Sequence, residues 1–160
     1  MPASSLKSDL RKRGDFDSPE QEAMLSVLRL SDRFENRLGR MFREFGLTNS
    51  QYNVLRILRG EGKPLPSLEV ADRMIQVVPA ITGLIDRLEK QSFVRRERSA
   101  EDRRVVFVEI TKQGLTVLAK IDEPLNELHR KLLGKMPRKE LAELIRLLCR
   151  ARESFEAAEA

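Results

Sequence analysis

The apolar period of this chain changes once, near its middle, and then changes back. From Met24 to Leu88, apart from the proline-bearing stretch at residues 63–66, large apolar residues recur mostly at three- and four-residue steps, which is the spacing of one helix face. Two β-prone runs rich in Val and Phe follow, residues 93–98 and 105–110, with a charged tip between them, Ser99-Ala100-Glu101-Asp102-Arg103-Arg104. From Thr111 onward the helical spacing resumes. A single hairpin set between amphipathic helices predicts a mainly α chain with a small β-hairpin, an α+β fold.

The local signals divide the helices. Residues 1–17 are polar and charged with no clear period and read as a flexible N-terminal arm. Ser18-Pro19-Glu20 supplies a cap, a proline at the first helical position and an acid in the first turn. Met24, Leu28, Leu30, Phe34, Leu38, Met41, Phe42 and Phe45 then mark a long amphipathic helix stopped at Gly46. Thr48-Asn49-Ser50-Gln51 fits a capping box and opens a second helix carrying Tyr52, Val54, Leu55 and Leu58. Lys63-Pro64-Leu65-Pro66 cannot be helical and suits a short edge strand. Ser67 is expected to cap a short third helix with Leu68, Val70, Ala71 and Met74 facing inward, and Pro79 to open a fourth. In that fourth helix Ile81, Leu84, Ile85 and Leu88 form one apolar stripe, opposite Pro79, Thr82, Gly83, Asp86, Arg87 and Lys90. Beyond the hairpin, Thr111 caps a long helix expected to kink at Pro124 and end at Gly134, and Pro137 opens the last one.

Residues 47–111 thus follow the order of a winged helix-turn-helix, and the helices at residues 18–46 and 112–160 frame it. The duplex major groove admits one α-helix. A helix that reads it needs an apolar stripe to hold it and small or polar residues on its other face, and the fourth helix has both. The pattern alone also fits an ordinary core helix with a solvated face. The charge adds to the case. Residues 87–104 hold seven Arg and Lys against four acids, a surplus of three out of the chain's net +5. Phosphate binding requires local concentration of that kind, and an Arg at a hairpin tip can enter a narrow minor groove. A charged hairpin by itself is commonly a solvated turn; directly after a helix-turn-helix the balance reverses.

The frame helices carry more apolar surface than so small a central domain can cover, which predicts that they meet a second copy across a two-fold axis. The alternative is that all three pack within one chain. With 41% hydrophobic and 34% charged residues the chain can build a core. One cysteine, Cys149, rules out an intrachain disulfide, and residues 1–16 lack the apolar stretch of a signal peptide, so a cytoplasmic protein with no membrane span is expected. Cys149 reads as a packed interface residue, and a redox switch through it is the lesser alternative. His129 is the only histidine and has no further His or Cys beside it to build a metal site. No nucleophile motif or Gly-rich phosphate loop supports an enzyme, and no cofactor is expected.

The stretch Leu47-Thr48-Asn49-Ser50-Gln51-Tyr52-Asn53-Val54-Leu55 resembles the helix that opens the DNA-binding domain of MarR-type regulators. Asp86-Arg87-Leu88-Glu89 followed by Phe93-Val94-Arg95-Arg96 is similar to their recognition-helix end and first wing strand. Glu101-Asp102-Arg103-Arg104 leading to Ile110-Thr111-Lys112-Gln113-Gly114 is similar to their wing signature. The resemblance covers residues about 20–155.

It implies a homodimeric regulator of transcription, its outer helices forming the interface, bound to double-stranded DNA at a pseudo-palindromic operator and acting as a ligand-responsive repressor. It implies that Arg104 is the wing arginine and that Asp102 orients it by a salt bridge. Pro79, Ala80, Thr82 and Gly83 would lie nearest the bases with Gln76 at the turn, and Arg73, Arg87, Lys90, Arg96 and Arg98, with Arg103 on the wing, would serve the backbone. It also implies a small aromatic or phenolic effector. Gly83 departs from the pattern, since many relatives carry a longer and often basic side chain there. Its loss of a base contact shifts the expected readout toward DNA shape and wing contacts. A winged-helix protein-interaction module that does not bind DNA is the reading from a different class, and the basic hairpin argues against it.

Overall fold

The computed structural model describes residues 6–77, 79 and 81–160. Two compact units divide the chain, one running to Leu118 and the other starting at Ala119. The first begins with a single helical turn, α1 (Leu6–Asp9), followed by α2 (Pro19–Arg43). Within the arm, Arg33 of α2 donates to Asp9 at 2.7 Å and Lys7 pairs with Asp15 at 2.5 Å. Ser18 caps α2 by accepting from the backbone N–H of Gln21, with Pro19 at the first helical position. At the other end Leu47 N–H donates to the Phe42 carbonyl and Gly46 adopts φ +74°, the left-handed conformation for which glycine carries no steric penalty.

Thr48 and Gln51 form the complete capping box that starts α3 (Asn49–Glu61), and Gly62 at φ +71° ends it. β1 (Leu65–Pro66) follows, then α4 (Ser67–Asp72), α5 (Ile81–Lys90), β2 (Val94–Arg98), β3 (Val106–Ile110) and α6 (Lys112–Leu133), which contains Pro124. β1, β3 and β2 lie in that order in one antiparallel sheet, with Leu65 opposite Val108 and Arg96 also opposite Val108 on the far side. The edge strand therefore sits on β3, and its Pro66 costs no ladder bond in the middle of the sheet.

One core holds the first unit together. Phe42, Leu47, Val54, Leu55, Leu58, Leu65, Val70, Ile85, Leu88, Val94, Val108 and Leu118 are buried, and the Phe42 and Tyr52 rings stack at 4.1 Å. Gly114 fits this core only as glycine. A Cβ there would run into the Phe93 carbonyl oxygen and stand 2.8 Å from Ile110 Cγ1, so α6 leaves the sheet at a distance no side chain allows.

Three local expectations are corrected. Ser67 does not cap α4: it is the first helical residue, Pro66 holds the cap position with no side-chain bond, and β1 runs straight into the helix. Leu68 does not face inward but is 73% exposed, while Val70 is buried. Residues two positions apart lie about 200° from each other around a helix, so one face cannot bury both. Pro79 lies in the turn, and α5 is assigned from Ile81.

In the second unit α6 continues from Ala119 and buries Ile121, Leu125 and Leu128. Gly134 and Pro137 separate it from α7 (Arg138–Glu159), which buries no residue and exposes Ile145, Leu147 and Phe155. Among the described residues, no helix is long and apolar enough to cross a membrane.

Candidate nucleic-acid interface

α5 is positioned by its stripe. Leu84, Ile85 and Leu88 are buried and Ile81 half-buried, which turns Thr82, Arg87 and Lys90 outward. Gly83 is half-buried, yet a Cβ built on it would meet nothing within 4 Å. Packing therefore does not require glycine at 83. Pro79 is exposed in the turn, and Ala80 lies outside the described residues. Gln76, also in the turn, is exposed, and its side-chain amide donates to the Glu35 carboxylate of α2.

The end of α5 and the start of β2 are joined by a residue that carries no obvious turn signal. Ser92 adopts φ +61°, its N–H donating to the Glu89 carbonyl at 2.8 Å and the Phe93 N–H to that of Leu88 at 2.9 Å. Thr111 closes the same corner from the far strand: its hydroxyl donates to the Ser92 carbonyl at 2.7 Å and accepts from Gly114 N–H at 3.1 Å. Gln51 reaches the corner too, its amide donating to Gln91 Oε1 at 3.1 Å, so one buried glutamine serves both the α3 cap and the base of the hairpin.

Two sets of arginines leave this corner. Arg96 is held in a fork: Nη1 meets Asp86 at 2.5 Å, and Nη2 and Nε meet Glu89 at 2.5 and 2.9 Å. Arg95 pairs with Glu109 across the strands. The Arg96 hydrogen bond holds the Glu89 carboxyl below its ordinary range, and Glu89 in turn raises the Arg96 guanidinium. At the far end, Ser99 N–H donates to the Val105 carbonyl at 3.0 Å and closes the tip loop. Asp102 Oδ1 accepts from both the backbone N–H of Arg104 at 3.0 Å and its Nε at 3.2 Å. The Arg104 side chain is nonetheless 92% exposed. Asp102 thus fixes the root of that side chain while its outer nitrogens stay in solvent.

The site residues read from the sequence consequently separate into two groups. Arg73 is engaged by Glu61 at 2.7 Å and Glu69 at 3.1 Å, and Arg96 by its fork. Arg87, Lys90, Arg98 and Arg103 have no carboxylate partner among the described residues, and all four are exposed. Sequence reasoning missed Glu35, whose partner lies 41 residues away, and Glu89 and Asp86 as the partners of Arg96. The spacing of those two acids was a usable signal, since residues three apart share a helix face.

A polar cavity of about 420 Å³ lies against α2, lined by Asp32, Glu35, Asn36, Gly39, Arg43, Thr48, Asn49, Ser50 and Gln76. Among the described residues, the buried Asn49 Oδ1 accepts no hydrogen bond. In α7, Cys149 is half-buried and its Sγ accepts from Arg152 Nη2 at 3.1 Å.

The family model of the MarR family matches residues 47–106, from the entry to α3 into β3. The crystal structure of a MarR transcription factor from Planctomyces limnophilus is 42% identical, covers 84% of this chain and 98% of its own, and superposes with a TM-score of 0.66. The regulator PecS of Dickeya dadantii is 25% identical over 141 residues, 87% of this chain and 85% of its own. The homoprotocatechuate degradative operon repressor of Escherichia coli is 26% identical over 102 residues, 64% of this chain and 68% of its own. An outwardly anchored helix, a three-stranded sheet with an arginine-tipped hairpin, and relatives of this length together place the chain in the MarR family as a DNA-binding transcription regulator.

Proposed function

We propose that this chain acts in the cytoplasm as a homodimeric repressor, two winged helices gripping a pseudo-palindromic operator whose half-site centres are about 10 bp apart. The observation that carries the reading is the wing tip, where Asp102 anchors Arg104 through its Nε and leaves the outer nitrogens of the guanidinium in solvent. In this reading Arg104 enters a minor groove, where narrow A·T tracts enhance the negative potential. Arg98 and Arg103 on the wing and Arg87 and Lys90 on α5 hold phosphates, and Thr82, Gly83, Pro79 and Ala80 approach base edges. The dimer is supported by apolar side chains left open at both ends of the chain: Met24, Val27 and Leu28 on α2 and Ile145, Leu147 and Phe155 on α7. A second copy covers them across a two-fold axis.

Repression follows the E. coli relative's role. The effector, on family resemblance, is a small aromatic or phenolic molecule. The cavity against α2 has the volume of a small-ligand site. Its two carboxylates and single guanidinium disfavour an anion and favour a ring bearing hydroxyl donors. Because Glu35 and Gln76 both line it, an occupant that takes the Glu35 carboxylate frees the turn residue that Glu35 holds.

The experiment is a titration of duplex DNA at several salt concentrations with the protein's mass in solution measured alongside. A dimer whose affinity falls steeply with salt is expected, because phosphate contacts release counterions. A monomer, or a protein that ignores duplex DNA at low ionic strength, ends the proposal.

A further inference from the structure

The approach to α5 is apolar where a groove-reading segment commonly carries hydrogen-bonding heads. Ile75 is 79% exposed and Val77 95% exposed, although both are residue types that normally fill cores. Gln76 between them is tied back to Glu35. On α5 itself the first turn offers Thr82 and the bare backbone of Gly83, and charged heads without a carboxylate partner among the described residues begin only at Arg87 in the last turn.

In helix-turn-helix complexes the N-terminal end of the recognition helix meets the base edges. The major groove shows donors and acceptors at every base pair and one apolar feature, the C5-methyl group of thymine. We propose that Val77, together with the methyl group of Thr82, packs against thymine methyls, so that thymine is the base this regulator reads by direct contact. The proposal rests on the DNA-binding reading above. Charge complementarity selects duplex DNA over an apolar protein partner, because the exposed cations Arg87 and Lys90 lie on the same helix and suit phosphates flanking the contacted bases.

The test removes only the methyl. Duplexes are selected from a random-sequence pool with wild-type protein, and the recovered duplex is resynthesised with deoxyuridine in place of single thymidines. Wild-type affinity is expected to fall about threefold to fivefold at one or two positions in each half-site, the size of one lost buried methyl contact. Val77→Ala, a change at an exposed position, is expected to lose the discrimination at the thymine that Val77 contacts, and Thr82→Ser at the thymine that the Thr82 methyl contacts, each with its salt dependence unchanged. Equal wild-type binding to both duplexes at every position, with salt-dependent binding intact, overturns the methyl contact and leaves DNA binding standing. A recovered half-site without thymine has the same meaning, as does discrimination that survives in both Val77→Ala and Thr82→Ser. Recovery of no duplex at low salt instead removes the DNA-binding reading itself, and this inference with it.

Discussion

The two ends of the hairpin use the same residue for opposite purposes. At its root, Arg96 is surrounded by Asp86 and Glu89, and its side chain is 33% exposed. At its tip, Arg104 touches one carboxylate and is 92% exposed. The root arginine spends its donors on α5 and so fixes the angle at which the hairpin leaves the helix. The tip arginine leaves most of its donors in solvent. A net charge counted over residues 87–104 does not separate these roles, because a guanidinium enclosed by two carboxylates and one left mostly in solvent contribute equally to the sum, while the solvent-exposed one is the better placed to attract phosphate.

The largest expected effect is at the root. Gly114→Ala forces a Cβ against the Phe93 carbonyl and Ile110, and overpacking against backbone should cost about 3 kcal/mol of stability. Chemical denaturation measures it, and an unchanged midpoint would mean that the corner is loose and that the root does not orient the hairpin. Next in size is Arg104→Ala, expected to weaken operator binding by about 2 kcal/mol, roughly thirtyfold, with no change in the unfolding midpoint. Arg96→Ala should do the reverse, lowering stability by less than about 1 kcal/mol, since solvent screens the carboxylates it leaves unpaired, and affecting binding less than Arg104→Ala. If the two variants lose affinity equally at equal stability, the distinction between root and tip fails.

Most of the architecture was legible because it is written in local chemistry. Ser18-Pro19, the Thr48–Gln51 box, the α5 stripe and the Val-rich strands each act within a few residues, and each formed as its pattern requires. The misreadings occurred where neighbours in space decide. Ser67 has the type of a cap, but the edge strand running into α4 leaves the cap position to Pro66. Leu68 is apolar, but Val70 already claims the buried face. For the candidate site, residue type and order located the basic groups, but which arginines are neutralised depends on acids brought in by folding, as Glu61 is for Arg73 and Glu89 for Arg96. Gln76 was legible as a turn residue; the hold that Glu35 has on it was not.

Ser92 tests the root more gently. It occupies the left-handed position that ends α5, where glycine pays no steric cost. Ser92→Gly should therefore stabilise the protein, by up to about 1 kcal/mol once the greater freedom of glycine in the unfolded chain is deducted. Thermal unfolding is the measurement, and operator affinity should not move. A loss of stability would show that the Ser92 side chain, and not only its backbone, holds the corner.

The smallest effect concerns acid. The Arg96 hydrogen bond depresses the Glu89 carboxyl below its ordinary value in the folded protein. A depressed carboxylate binds its proton more weakly when folded, so the stability it contributes is present above the unfolded value, near 4.3, and is lost as pH falls through the folded one. Because both side chains are about a third exposed, solvent screens the pair and the contribution is a few tenths of a kcal/mol. Other carboxylates, Glu61 beside Arg73 among them, are depressed as well, so the whole protein's acid sensitivity does not isolate this pair. The difference between wild type and Glu89→Gln does. Denaturant midpoints should place the variant slightly below wild type at pH 7, and the gap should close as pH falls through the lowered folded value of Glu89, where the wild-type carboxyl is protonated as well. A gap that persists in acid would mean that the ion pair with Arg96 is not what Glu89 contributes, and the root would then be held by geometry and not by charge.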